Sequence, residues 1–310
     1  MANANYSLSE PALKRQIAVT PQGSKLEPKL EIVKPPRYTL SWTNAIVITL
    51  SPILALTLGI LYVRTAGFAW ADFANYLFMY TLAGLSITAG YHRYFSHRSY
   101  ECNAFVKFIW LIFGASAVQN SALAWSSDHR IHHRYSDKDQ DPYNISKGFF
   151  WAHMGWIYFI DREKPELENV RDLQKDRLVM WQHRNYILIL LVVGFGLPFL
   201  IGLACGRPWG GLLWGGLIRM VLGHHTTFLI NSAAHTFGTK PASSSISARD
   251  CWWLSFFSFG EGYHNYHHAH PSDYRNGVAW YHCDITKWVI SALSVPGWTW
   301  NLRRISKTES

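Results

Sequence analysis

Three groups of histidines carry the densest chemistry in this chain: His92-Arg-Tyr-Phe-Ser-His97, His129-Arg-Ile-His132-His133 and His264-Asn-Tyr-His267-His268. A fourth, Asn231-Ser-Ala-Ala-His235, adds one more imidazole and an amide. On a helix, residues i, i+3 and i+4 share a face, so each H-x-x-H-H group projects three imidazoles together. The H-x-x-x-x-H pair fits less well, because five residues advance about 140° around an ideal helix. That spacing predicts a helix that ends or bends between His92 and His97. Imidazoles gathered in this way bind metal. Eight or nine of them exceed the four ligands, or three plus water, that one zinc takes, and they suit two metal ions. The H-E-x-x-H of zinc proteases does not occur in the sequence. Copper sites recruit Cys or Met, which do not flank these groups, whereas imidazole also suits iron. The Glu and E-x-x-H ligands of soluble di-iron bundles are missing too, so iron would occupy a different, histidine-rich site.

A ligating histidine usually gives its second N–H to a carboxylate or carbonyl. Asp128, Asp137, Asp139, Asp141 and Glu261 lie near the groups, and Asp141 and Glu261 are the main candidates for that role. His153, His224, His225 and His270 complete no group and are expected beside the metal or along a substrate path. His183 and His282 are expected to be structural.

The elements that must hold these residues are apolar. Four stretches, roughly 42–63, 68–89, 186–204 and 209–230, each approach the ~20 residues needed to cross a ~30 Å hydrocarbon core. Short connections at Arg64–Gly67 and Cys205–Pro208 join them into two hairpins. A fifth stretch, Ala104 to Trp125, contains Lys107, Gln119 and Asn120. If it crossed, His92 and His97 would be separated from His129 by the membrane, so it is expected to lie on or in the interface. All but three of the 29 Lys and Arg, namely Arg64, Arg207 and Arg219, lie outside the spans and short turns. The positive-inside rule then places both termini and all polar segments in the cytoplasm. The net charge of +9 follows from this topology and does not call for nucleic acid. The four cysteines form no C-x-x-C pair and read as isolated thiols. Residues 1–40 are polar, lack the apolar core of a signal peptide, and read as a flexible cytoplasmic arm before a single domain over 41–310. The fold class is therefore an all-α integral membrane protein, with four transmembrane helices and a cytoplasmic helical cap carrying the histidines.

The sequence resembles the membrane fatty-acyl desaturases, in particular their Δ9, stearoyl-CoA-type branch. The likeness covers about residues 42–300. It rests on Gly90-Tyr-His-Arg-Tyr-Phe-Ser-His97-Arg, Asp128-His-Arg-Ile-His-His133, Asp141-Pro-Tyr-Asn144, Gly148-Phe-Phe, His153-Met-Gly-Trp156, Asn231-Ser-Ala-Ala-His235 and Gly260-Glu-Gly-Tyr-His-Asn-Tyr-His-His268. The resemblance implies a stem of four helices under a cap, and O2-dependent insertion of a cis double bond into a sixteen- or eighteen-carbon acyl chain. It implies two non-haem irons held by His92, His97, His129, His132, His133, His235, His264, His267 and His268, with Asn231 acting through a water. It implies a separate electron donor, a cytochrome b5 or a ferredoxin with its reductase. A kinked acyl tunnel would pass Gln119, Trp125 and Thr227 and end near Tyr80 and Gly84, where the missing side chain of Gly84 would leave it deep. Asn44, Asn120 and Asp128 match positions that contact the acyl carrier. Where animal acyl-CoA desaturases carry basic residues toward the CoA phosphates, this chain has Ser127, Ile160 and Asp161, with Arg162 and Lys164 as substitutes. Acyl-CoA is the first carrier expected, with acyl lipid or acyl carrier protein as alternatives. A fatty-acyl hydroxylase would use the same scaffold.

Overall fold

The computed structural model describes residues 37–161 and 167–305. Arg162 and Lys164, and residues 1–36 of the expected arm, lie outside the described residues. The last part of that arm is ordered, against expectation. Strand β1, Tyr38–Leu40, pairs antiparallel with β3, Phe159–Asp161, with Tyr38 opposite Asp161. A second small antiparallel pair joins β2, Glu101–Cys102, to β4, Thr299–Trp300. Most of the remainder is helical, while Asp141, Ser247, Glu261 and Asp284 lie in the connecting loops.

Helix α1, Trp42–Ala66, runs 25 residues, about 37 Å at ~1.5 Å per residue. Ser41 caps its start, its Oγ accepting from Asn44 N at 3.4 Å, and Gly67, with φ of +72°, ends it. Helix α1 and the helical run Tyr186–Ala204 are both long and apolar enough to cross a membrane. Only 17% and 22% of their most apolar stretches are buried. Leu50, Ile53, Leu54 and Leu56 on the first, and Ile187, Leu188 and Leu191 on the second, are exposed. Apolar faces this extensive are solvated by lipid, not by water.

Helix α2, Trp70–Leu85, continues without a break as a π-helix over Ser86–Ser96. A corresponding run covers Pro208–Gly210, a π-helix over Gly211–Ile218, the helix Arg219–Ser232 and a 3-10 turn over Ala233–His235. Both runs carry the chain from the expected spans directly into histidine groups. The two hairpin turns are tied together: Arg207 Nε donates to the buried Asp72 Oδ2 at 2.8 Å, and Arg207 Nη2 to Gly67 O at 2.9 Å.

The stretch from Ala104 to Trp125 is broken. Helix α3, Ala104–Ser116, has 13 residues and spans about 20 Å, too short for a ~30 Å core. It stops in a bend where Val118 (φ +60°) and Asn120 (φ +82°) adopt left-handed backbone. Ser121 then caps helix α4, Ala122–Tyr135, accepting from Ala124 N at 3.3 Å. This break lets α4 return its histidines to the side from which α2 emerged. Tyr91, Phe95, Trp110, Leu111, Leu123 and Ile290 form the apolar core of the cap.

Candidate metal centre

The local structure at His92 and His97 meets one expected solution and adds a feature the sequence did not show. The helix ends at Ser96, between the two, and it does so as a widened π-helix over Ser86–Ser96 with His97 as its cap. In a π-helix the backbone bonds run from i+5 to i, and His97 N donates to His92 O at 3.2 Å. Residues five apart therefore stack, and the two rings sit 4.9 Å apart between centroids. The same widening turns Arg93 away from the cluster into the cap.

The H-x-x-H-H groups also behave differently from a simple three-ring face. One set of five comprises His92, His97, His129, His133 and His267, and a second set of four comprises His132, His235, His264 and His268. Within each set the ligand atoms all lie within 4.8 Å of one another. Helix α4 thus gives two rings to the first set and one to the second. The short helix His264–Ala269 does the reverse. The reason is angular: positions i+3 and i+4 fall on opposite sides of i, about 100° apart. Each triplet therefore straddles two sites.

The nitrogens are oriented. His92 and His267 face each other through Nε2 at 2.9 Å, His97 and His129 at 2.8 Å, and His133 and His267 at 3.0 Å. In the second set, His132–His268, His235–His264 and His264–His268 each approach through Nε2 at 3.1 Å. Several Nδ1 atoms face acceptors. His92 Nδ1 lies 2.7 Å from Glu261 Oε2, His132 Nδ1 lies 2.9 Å from Asp141 Oδ1, and His235 Nδ1 lies 2.6 Å from Ser247 Oγ. Ser247 Oγ in turn donates to Asp137 Oδ1, so it accepts from the imidazole. A neutral imidazole has one N–H. With that proton on Nδ1, the converging Nε2 atoms present lone pairs to one another, which is repulsive unless a cation sits between them. Imidazole–metal bonds of about 2.1 Å at right angles would separate neighbouring nitrogens by about 3.0 Å. The residues present therefore fit metal ions at both sets.

Electrostatics point the same way. Burial pushes the imidazoles of His97, His129, His133, His235, His264, His267 and His268 well below their ordinary range, and the crowding of imidazoles against one another pushes in the same direction. They are neutral at physiological pH and available as ligands. Burial would raise Glu261, but His92 and Arg93 outweigh it and hold the carboxyl below its ordinary range.

Arg93 was not singled out by its sequence position. It is fully buried and forks onto both acids, with Nη2 at 3.0 Å from Glu261 Oε1 and at 2.9 Å from Asp284 Oδ1. Arg130 plays the matching part on α4, donating to Asp172 at 2.7 and 3.0 Å and to the carbonyls of Phe95 and Ser96. Burial raises Asp172, but Arg130 and Arg98 pull it down to about 2. The signal available in the sequence is the arginine directly after the first histidine of both groups. Ser247 and Asp284 left no such signal.

The expected substrate residues are placed as follows. Gln119 Nε2 donates to Thr227 Oγ1 at 2.9 Å, Trp125 Nε1 donates to Gln119 Oε1 at 3.4 Å, and the Trp125 ring stacks on His129 at 4.9 Å. These three are thus brought together under the first set. Tyr80 OH donates to Phe257 O at 3.0 Å. Gly84 does not border open space: a Cβ there would run into the ring of Phe259, which packs 5.7 Å from the Tyr80 ring. The space beside Gly84 is taken up by this phenyl group. Asn44 ties α1 to the cap, Nδ2 donating to Ile157 O at 2.9 Å, and Asn120 N donates to Tyr186 OH at 2.9 Å. Asp128 lies half-buried on α4, and Asn231 half-buried four residues before His235. His153 and His225 pair at 3.1 Å away from both sets, and His183 Nδ1 meets Ser121 Oγ at 2.7 Å.

Fold and site together define a helical protein with lipid-facing helices and a paired, all-imidazole cluster compatible with metal. The chain belongs to the fatty acid desaturase family, whose profile matches residues 68–302. It is 42% identical to acyl-CoA desaturase 1 of Saccharomyces cerevisiae over 74% of this chain and 46% of that protein. It is 35% identical to the sn-1 stearoyl-lipid 9-desaturase of Synechocystis over 84% of this chain and 80% of that protein. Identity to the stearoyl-CoA desaturase of Bos taurus is 35%, over 91% of this chain and 77% of that protein. The matched region spans about half the length of the fungal relatives, 46% for that of Saccharomyces and 56% for the probable acyl-CoA desaturase of Schizosaccharomyces pombe.

Proposed function

We propose that this chain is a membrane-embedded, O2-dependent Δ9 desaturase that converts a saturated acyl chain of sixteen or eighteen carbons to its cis-monounsaturated form. The observation that carries the reading is the pair of adjacent clusters whose Nε2 lone pairs converge on one another once the protons sit on Nδ1, in a chain of this family. His92, His97, His129, His133 and His267 would hold one iron, and His132, His235, His264 and His268 the other, with Asn231 reaching it through a water. Iron bound there would supply activation of O2 and removal of two neighbouring hydrogens, using two electrons from a separate cytochrome b5- or ferredoxin-type donor. The chain's own residues do the positioning. Glu261 and Asp141 keep the protons of His92 and His132 on Nδ1. Trp125, Gln119 and Thr227 form a bonded wall beneath His129, which fits a surface against which an acyl chain bends. An apolar path of fixed shape sets which carbon reaches the metal.

The four expected spans fit a topology with both termini and the clusters in the cytoplasm, in a bacterial inner membrane or the endoplasmic reticulum. The exposed apolar faces of α1 and Tyr186–Ala204 support it. The test of function is expression of the full chain in a host lacking its own Δ9 desaturase, with gas chromatography of total fatty-acid methyl esters. New cis-9 monoenes are expected. Hydroxy acids in their place would mean a hydroxylase, and an unchanged profile would overturn the reading.

Acyl-CoA is the first candidate carrier, and one observation favours acyl lipid as a second. Ser127, where animal enzymes have Arg, is buried and donates to Asn169 Oδ1 at 2.7 Å, and Ile160 and Asp161 are taken up in the β1–β3 pair. Arg162 and Lys164 remain as phosphate contacts for CoA. Purified enzyme, donor and O2 supplied with labelled acyl-CoA or labelled phospholipid vesicles distinguishes the carriers. Exclusive use of acyl-CoA that survives Arg162→Ala and Lys164→Ala would remove the lipid reading.

A further inference from the structure

Arg219 is a charged residue in the apolar interior that the proposed chemistry does not use. It is 1% exposed, and among the described residues no carboxylate pairs with it. An ionisable group in such a setting needs a partner, and here the partners are backbone carbonyls. Arg219 Nη1 donates to Ser116 O at 2.5 Å, Nη2 to Gly194 O at 2.9 Å and Nε to Gly215 O at 3.1 Å. Gly194 and Gly215 both lie in π-helical turns, where widened bonding frees carbonyls.

One turn further along the same helix, His224 Nε2 lies 3.1 Å from Ala117 O and 2.9 Å from Val118 O. Ser116, Ala117 and Val118 end helix α3. Their carbonyls are the orphan acceptors of a helix C-terminus, where the helix dipole also favours positive charge. All three are taken by side chains of the helix Arg219–Ser232. Beyond them, Gln119 is fixed to Thr227 of that helix, and Asn120 N to Tyr186 OH. The whole bend 116–120 is therefore fastened to two neighbouring helices, residue by residue.

We propose that Arg219 and His224 are positioning residues that set the depth of the 116–121 bend in the bundle, and through it the carbon at which the double bond is introduced. The bend carries Gln119 and leads directly into α4, which carries Trp125, His129, His132 and His133. A shift of the bend moves the wall formed by Gln119 and Trp125 relative to the histidine clusters. Bound substrate would then present a different carbon to the metal. Misplacement by about 1 Å costs about 100-fold in rate at the original position, which allows neighbouring positions to compete. This inference rests on the desaturase reading for its chemical consequence, and on the geometry alone for the clamp.

The test uses full-length wild type, His224→Leu, and Arg219→Lys as a second variant that keeps the charge but cannot reach three carbonyls. Two measurements are made: the double-bond position in the products, by mass spectrometry of derivatised esters, and amide hydrogen exchange across 117–124 in purified protein. The expected result is a mixture of positional isomers from both variants where wild type gives one, with iron per chain unchanged. Exchange in the bend should be roughly tenfold faster or more. A single unchanged isomer from both variants, formed merely in smaller amount, would overturn the proposal. So would unchanged exchange at 117–124. A wild-type chain that makes no alkene defeats the desaturase reading and the positional half of this proposal with it, while the exchange data still decide whether the clamp exists.

Discussion

The two histidine clusters are neighbours built on different principles. The five-membered set is anchored by buried charge: His92 on Glu261, Glu261 on Arg93, and Arg93 on Asp284, which also caps the helix Ile285–Ser294 through Lys287 N. Moving any member of that chain strands a buried ion, so the set is coupled to the folding of the whole cap. The four-membered set leans on shorter supports, a single carboxylate from Asp141 and the Ser247–Asp137 pair behind His235. It has one imidazole fewer, and Asn231 with its proposed water would complete it. The difference teaches that equal ligand chemistry can carry unequal structural weight: the first set belongs to the framework, the second to a more exchangeable position.

The largest effects should come from the rings themselves. His267→Ala and His264→Ala are each expected to abolish desaturation while leaving membrane insertion intact. In metal analysis, His264→Ala should lose about one of two ions per chain, because binding depends on the intact ligand set, whereas His267→Ala should lose its ion and thermal stability together. Identical behaviour of the two variants would break the comparison.

Next come the acids. Glu261→Gln removes a charge from Arg93 as well as an acceptor from His92, and should lower stability by about 3–5 kcal/mol. Asp141→Asn should cost about 10–100-fold in metal affinity with little change in melting temperature. Equal melting shifts for both would show that the buried charge chain does not distinguish the sets.

The pH response separates the same elements. Folded imidazoles held far below their ordinary range stay neutral, while unfolded ones take up protons below about pH 6.5. The unfolded state then binds more protons, so stability and metal occupancy should be level above pH 7 and fall as pH drops through about 6 to 5. Glu261 is depressed in the fold, so its contribution is present at neutral pH and is lost only in acid, below about pH 4. Melting curves from pH 8 down to about pH 3, with and without chelator, should show the two steps. Stability that rises on acidification would contradict the sign.

The smallest expected effect is at Ser247. Ser247→Ala leaves His235 Nδ1 without its acceptor and should weaken the second site by roughly tenfold or less. Metal retained by the first site should not change, and a loss there would mean that the supports are shared.

Much of this was legible in the chain. The nine imidazoles, the expectation that 104–125 does not cross, and Asp141 and Glu261 as candidate acceptors follow from residue type and spacing. Other expectations failed for identifiable reasons. The i, i+3, i+4 rule put three rings on one face, but an angular spread of about 100° distributes them over two sites. The five-residue step between His92 and His97 suggested a helix that ends or bends, and it does end at Ser96, but an α-helix was assumed and a π-helix forms. At Gly84 only the fold shows which side chain fills the adjacent space, that of Phe259, 175 positions away in the chain.

The sequence by itself determined the chemistry on offer: which side chains can bind metal, which segments are apolar enough to face lipid, and that the histidine groups must meet on one side. These depend on composition and short-range periodicity, which are local properties. Tertiary structure alone decided which histidine shares a site with which, that Arg93 and Asp284 stand behind one of them, and that Arg219 and His224 hold the end of α3. Each of those contacts joins residues far apart in the chain, and its energy comes from burial of polar groups that no local pattern encodes.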